Sequence, residues 1–233
     1  WRNNMKTDIL IVGSGCAGLY AALNLPSDKQ ITIITKDIVE HSDSFLAQGG
    51  MCMLKSEDDY DSYFEDTMKA GHYENNPKSV EVMIRSSVDV VNDLVKYGAD
   101  FHREPDGSFS YTKEGAHSHH RIIFHEDVTG KEITSTLLRN VEKLSNVTIY
   151  EHVTMVDILC KDNCCYGMVA RDAENKIFPI KANYTMLACG GIGGIYRHST
   201  NFRHLTGDAV AIALKHGIET EHVNYVQIHP TTL

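Results

Sequence analysis

An α/β fold on a parallel central sheet, with a smaller β-sheet beside it, is what the sequence predicts, and three observations predict it. Residues 9–12, Ile-Leu-Ile-Val, form an apolar run that ends in the turn Gly13-Ser14-Gly15-Cys16-Ala17-Gly18. An Ala- and Leu-rich stretch of good helix propensity follows to Leu25, and Pro26 stops it. Residues 31–35, Ile-Thr-Ile-Ile-Thr, are β-branched throughout, as suits a strand buried on both faces. Strand, tight glycine turn, helix and strand make a βαβ unit, the building block of Rossmann-like folds.

The remaining elements follow in order. Residues 58–70 carry Tyr60, Tyr63, Phe64 and Met68 at helical spacing. Asn76 caps and Pro77 opens a longer helix, whose core face reads Val80, Met83, Ile84, Val88, Val91 and Val95, and Gly98 ends it. Residues 101–125 are polar and rich in Gly and His, an irregular or β segment. Thr129-Gly130-Lys131-Glu132 has the form of a capping box, opening a helix with Ile133, Leu137, Leu138, Val141 and Leu144 on one face. Strands are expected at 147–150, 153–159, 166–171 and 176–180, and a further apolar strand at 184–188 runs into Cys189-Gly190-Gly191-Ile192-Gly193-Gly194. Gly207 and Asp208 open a last helix that Gly217 stops. Residues 225–228 have strand character. Residues 1–6 are expected to be a leader or tag-like, and 7–233 one cofactor-binding domain.

Composition narrows the function. The chain has 233 residues and a formal charge of -9, which argues against nonspecific nucleic-acid binding. No apolar run approaches the roughly 20 residues that a membrane-spanning helix needs. Without a secretory pattern, and with six cysteines lacking any C-x-x-C pair, reduced thiols in a cytoplasmic setting are expected. Vicinal Cys164 and Cys165 read as ordinary strand residues.

The glycine-rich elements point to a nucleotide. In Gly13-x-Gly15-x-x-Gly18 the first glycine makes the tight turn. The second lets the backbone approach a pyrophosphate, and the third lets helix and strand pack closely. An NAD site calls for an acid at the end of the second strand, and this chain has Lys36 there. A lysine there can pair a 2′-phosphate, lie beside the adenosine of another cofactor class, or simply be solvated. Ser44-Phe45-Leu46-Ala47-Gln48-Gly49-Gly50 returns to the same end of the sheet, and we read residues 47–50 as backbone lying against a cofactor. Asp208, in the first turn of its helix, can accept hydroxyl hydrogen bonds or serve as a plain helix-cap acid.

These motifs, with Glu114-Gly115-Ala116-His117-Ser118-His119, Gly190-Gly191, Thr206-Gly207-Asp208 and His229-Pro230-Thr231, stand in the order seen in one family. The chain resembles the flavoproteins of the succinate dehydrogenase and fumarate reductase group over residues 7–233, most of all their aspartate-oxidising members. The resemblance implies FAD, with residues 13–18 at the pyrophosphate and Lys36 at the adenosine. It puts residues 44–50 under the flavin and its phosphates, Thr154 and Met155 at the adenine side, and Asp208 on ribityl or ribose hydroxyls. Succinate dehydrogenases carry a flavin-linked histidine four residues before the alanine of A-Q-G-G; here that position is Asp43, so the FAD is expected to be non-covalent. Ala209 stands where the family often has glycine.

On the substrate side the resemblance implies that Glu114 faces a substrate ammonium, favouring L-aspartate over succinate, and that His229 binds a substrate carboxylate. It implies oxidation of aspartate to iminosuccinate with oxygen or fumarate as acceptor, and delivery of the product to quinolinate synthase on the way to NAD. His117, His119 and His120 lie close together, but their spacing is not that of a helical metal pair, so no metal is expected. The family's catalytic arginine, capping domain and C-terminal helical domain are expected beyond Leu233, and the fragment alone is expected to be inactive. The alternatives are a soluble fumarate reductase, a non-catalytic flavin-binding module, or an NADP reductase.

Overall fold

The structure, a computed structural model, describes residues 5–228. The chain divides into two compact units. The first comprises residues up to Phe45 and from Leu137 onward, and the second is Leu46–Thr136. The sequence reading expected one domain.

The first unit is built on a six-stranded sheet of order β5-β2-β1-β8-β7-β6. Its strands are β1 (Met5–Val12), β2 (Ile31–Ile34), β5 (Val147–Tyr150), β6 (Thr154–Lys161), β7 (Cys164–Arg171) and β8 (Ile177–Leu187). β5, β2, β1 and β8 run parallel, and β7 and β6 add an antiparallel hairpin at one edge. Helix α1 (Cys16–Asn24) makes the βαβ crossover, and α6 (Asp208–Lys215) follows the last strand. Ile31, Ile33 and Ile34 are almost wholly buried, so each contributes about 1.5–3 kcal/mol of burial. Leu10, Val12, Ile34, Met168, Ile180 and Ile212 share one core.

The structure differs from the sequence reading here at three places. Met5 and Lys6, expected in a leader, pair with Ile180 and Lys181 as the start of β1. The two strands expected at 176–180 and 184–188 are one. Lys181, Ala182 and Asn183 between them stay extended, and Phe178, Ile180 and Ala182 keep burying alternate positions. β8 therefore pairs antiparallel with β7 in its first half and parallel with β1 along most of its length. Residues 225–228 are irregular, with Tyr225 and Ile228 exposed, and no described strand offers them an edge.

The second unit holds α3 (Tyr60–Ala70), α4 (Pro77–Tyr97) and a small antiparallel sheet of β3 (Met51–Cys52) and β4 (Ile122–Ile123). The helix α4 keeps its expected ends, but Met83, expected on its core face, is exposed: the buried stripe follows Val80, Ile84, Ser87, Val91 and Leu94 at the helical period. Asn76 Oδ1 accepts from the Lys78 and Ser79 amides, and Gly98 closes it at φ 99°. α3 and α4 bury Tyr63, Met68, Val80 and Ile84 together with Leu54. The four-residue helix α2 (Asp43–Leu46) and the helix α5 (Thr129–Val141) each run across a unit boundary. α5 does not close the expected capping box. The Thr129 hydroxyl accepts from the His125 amide, and Glu132 accepts from the Asp100 amide.

Candidate functional site

The turn after β1 takes its form from glycine chemistry. Gly13 sits at φ 115°, and a Cβ there would lie 2.2 Å from Ala188 O. A Cβ on Gly18 would lie 2.2 Å from Gly13 O, so α1 packs directly on the turn. Gly15 is the N-cap residue, with no side-chain cap and no acid in the first turn. That leaves a helix end suited to an anion. The Cys16 amide donates to Ser44 Oγ at 3.1 Å, and Ser14, which is buried, donates to Val39 O at 2.9 Å.

A cavity of about 300 Å3 opens beside this turn, within the first unit. Of the residues expected at a cofactor, Ser14, Gly15, Ala17, Lys36, Ser44, Met155 and Asp208 line it. Gly13, Cys16 and Gly18 shape the turn from behind. Thr154 does not line the cavity; its neighbours Val153 and Met155 do, as strand alternation demands. Phe45 is half-buried in α2.

Lys36 and Asp208 are brought together. Lys36 Nζ donates to Asp208 Oδ2 at 2.8 Å, Thr206 Oγ1 at 2.7 Å and His204 O at 3.0 Å. Gly207, at φ 70°, sets Asp208 in the first turn of α6. The lysine thus joins the end of β2 to the start of α6 across the cavity, and it is not simply solvated. Asp43, from which the sequence analysis expected a non-covalent cofactor, accepts from the Phe202 amide at 3.0 Å and bonds Asn201. Sequence reasoning missed Asp37, which faces His41 at 3.2 Å, His204 at 3.5 Å and His152 at 4.0 Å. Burial raises its carboxyl, but the Ile38 amide, His41 and His204 outweigh that and hold it below the usual range.

The rest of the A-Q-G-G segment belongs to the second unit. Leu46, Ala47, Gln48 and Gly49 are exposed, and Ala47 O accepts from the Gly130 amide at 2.9 Å. The two glycines differ. A Cβ on Gly50 would lie 2.3 Å from Ile122 Cγ2 and 2.4 Å from Ile123 O, so packing on β4 already requires glycine there. A Cβ on Gly49 would meet only the Glu114 carboxylate, at 3.4 Å. Glu114 and Gly49, far apart in sequence, therefore sit together. His229 lies outside the described residues.

Arg121 is the functional-looking residue to which the sequence reading gave no role. It is fully buried. It grips Asp59 with Nε at 3.1 Å and Nη2 at 2.8 Å, Asp66 with Nη1 at 2.6 Å, and Ser62 Oγ at 2.8 Å. Burial raises Asp66, yet the Ser118 amide and Arg121 bring it down to about 2. His117 stands between Arg121, 3.2 Å away, and Cys52 Sγ, 3.3 Å away, and His119 lies against Ser62 and Asp59. Among the described residues no group of three or more His, Cys, Asp or Glu side chains is arranged to hold a metal ion.

Three features of the first unit fit FAD: the glycine cradle, the uncapped helix end, and a cavity with both a cation and a hydroxyl acceptor at its rim. Comparison with known proteins agrees. An L-aspartate oxidase of Clostridium perfringens is 45% identical over 224 residues, which are 96% of this chain and 51% of that protein. One from Clostridium acetobutylicum is 41% identical over 230 residues, covering 99% and 53%. The chain spans about half the length of these curated relatives. A solved structure of a quinol fumarate reductase variant of E. coli superposes with a TM-score of 0.87 at 28% identity, covering 92% of this chain and 37% of that one. The family model for an FAD binding domain matches residues 8–233, the span that holds both the glycine cradle and Asp208. The chain therefore belongs to the FAD binding domain family.

Proposed function

We propose that the whole protein is an L-aspartate oxidase, converting L-aspartate to iminosuccinate with oxygen or fumarate as acceptor. Bound non-covalently, FAD supplies the acceptor for a hydride leaving the substrate α-carbon. The pyrophosphate lies on the Gly13–Gly18 turn at the start of α1. Lys36 would lie at the adenosine, and Asp208, which it bonds, would accept from ribityl or ribose hydroxyls. For residues 46–49 of the second unit, whose backbone is exposed, the ground for proposing a role at the flavin is the sequence resemblance alone.

The observation that carries the substrate reading is the Glu114 carboxylate against Gly49. A carboxylate beside that backbone attracts the ammonium of an amino acid and repels a plain dicarboxylate. His229 is proposed to bind a substrate carboxylate. The names of the two clostridial relatives support the same activity. The product then passes to quinolinate synthase on a route to NAD. Among the described residues no disulfide joins any of the six cysteines, which accords with a cytoplasmic setting. Among the described residues no helix is long and apolar enough to cross a membrane.

A fumarate reductase is the second reading, favoured by the likeness to the E. coli enzyme. Anaerobic titration of the full-length protein with L-aspartate, with succinate as control, separates the two. Bleaching of the flavin band by aspartate alone, weakened in Glu114→Gln, supports the oxidase. No bleaching by aspartate, with reduced flavin still reoxidised by fumarate, moves the assignment to a fumarate reductase.

A further inference from the structure

β6 and α6 begin together at the cavity, where Met155 and Asp208 line it. They run on to a common far end, roughly 11 Å along α6. There Cys160 Sγ lies 3.3 Å from His216 Nδ1, and His216 Nε2 lies 2.6 Å from Asp157 Oδ1. Lys215 Nζ bonds the other oxygen of Asp157. Lys215 and His216 hold Asp157 down at about 2, so it is a carboxylate at neutral pH and only accepts. In the neutral ring the hydrogen therefore sits on Nε2, and the Nδ1 lone pair faces the sulfur. Cys160 is exposed, as is Cys165, its directly opposed partner on β7. Directly opposed antiparallel residues stand with Cα atoms about 4.5–5.5 Å apart, within the range a disulfide bridges.

We propose that Cys160 is a reactive-thiol site for hydroperoxides, with His216 as its base, Asp157 orienting the imidazole, and Cys165 as the resolving thiol. His216 Nδ1 takes the thiol proton as Sγ attacks one oxygen of hydrogen peroxide. The O–O bond breaks, Cys160 becomes a sulfenic acid, and the departing hydroxide takes the proton and leaves as water. The Cys165 thiol then attacks Cys160 Sγ. The S–S bond forms, the S–O bond breaks, and a second water leaves, so two thiols lose two electrons to one peroxide. The site does not rest on the oxidase reading, although oxygen as acceptor would generate hydrogen peroxide on the same protein.

The test uses full-length protein, dilute hydrogen peroxide, a thiol-alkylating quench and peptide mapping without reduction. Cleavage after Lys161 separates Cys160 from the other two thiols. Cys164 is the internal control, since it is equally classed as exposed but pairs with Lys161. Cys160 is expected to be modified about tenfold faster than Cys164, and a Cys160–Cys165 link is expected to form. His216→Gln should bring Cys160 to the rate of Cys164, and Cys165→Ser should leave a sulfenic acid that dimedone traps. Equal rates at Cys160 and Cys164 in the unaltered protein would overturn the proposal, as would a Cys160 rate untouched by His216→Gln.

Discussion

Arg121→Met is the substitution on which the structure speaks most directly. Methionine fills similar volume but donates nothing, so Asp59 loses a two-pronged partner and Asp66 loses the guanidinium that faces it. Both carboxylates stay largely out of water, with side chains 9% and 15% exposed. Breaking a buried pair by removing one partner costs about 3–5 kcal/mol. Asp59 keeps the Ser62 hydroxyl and Asp66 keeps the Ser118 amide and hydroxyl, so the lower end, about 3 kcal/mol, is expected. Urea unfolding followed by circular dichroism measures it, with the slope checked for constancy. Arg85→Met is the control, because Arg85 is 47% exposed and its partners Glu81 and Glu57 are solvated; no measurable loss is expected there. Adding Asp59→Asn to Arg121→Met should recover part of the loss by removing one orphaned charge. A loss under about 1 kcal/mol for Arg121→Met would refute the reading of Arg121 as a buried partner that Asp59 and Asp66 both depend on.

Three further outcomes follow from the same geometry. Lys36→Met removes three bonds at a half-buried pair, so stability should fall by about 1 kcal/mol or less, while the FAD dissociation constant rises about tenfold. Flavin fluorescence titration checks this, and an unchanged constant would remove Lys36 from the site. Asp66 is held down at about 2 in the folded protein, against 3.8 for an ordinary aspartate. Its contribution is therefore complete above about pH 4 and lost as pH falls toward 2. Asp66→Asn should flatten that part of the acid-unfolding profile, and an unaltered slope would count against the assignment. Gly50→Ala should destabilise the β3–β4 sheet, whereas Gly49→Ala should leave the melting temperature alone and lower FAD binding; equal effects would mean that both glycines serve packing only.

What was legible in the sequence was local. Asn76, Pro77 and Gly98 bound α4 because a cap, a fixed φ and a left-handed stop act on the residues beside them. The Gly13–Gly18 turn was legible for the same reason. Pairing across the chain was not. β8 was split in two because a strand that changes partner midway leaves no mark in its own alternation. The capping box at Thr129 failed because His125 and Asp100, on neighbouring segments, offered its two side chains other partners. Arg121 looked like one more polar residue in a histidine-rich loop, since nothing nearby in sequence reveals that Asp59 and Asp66 surround it.

Gly49 and Gly50 show what that limit means for reading function. A G-G pair beside a cofactor motif invites one explanation for both residues. Yet the space around Gly50 is closed by Ile122 and Ile123, and the space around Gly49 is open except for Glu114. Glycine at position 50 is explained by the protein's own packing, so it carries no information about a ligand. Gly49 lacks that explanation. Its bare, exposed backbone beside a carboxylate is the feature of the segment that a flavin and an amino-acid substrate would account for. The substrate reading therefore rests on Gly49 with Glu114, and a Gly49→Ala protein that folds but binds FAD unchanged would remove this segment from the flavin site.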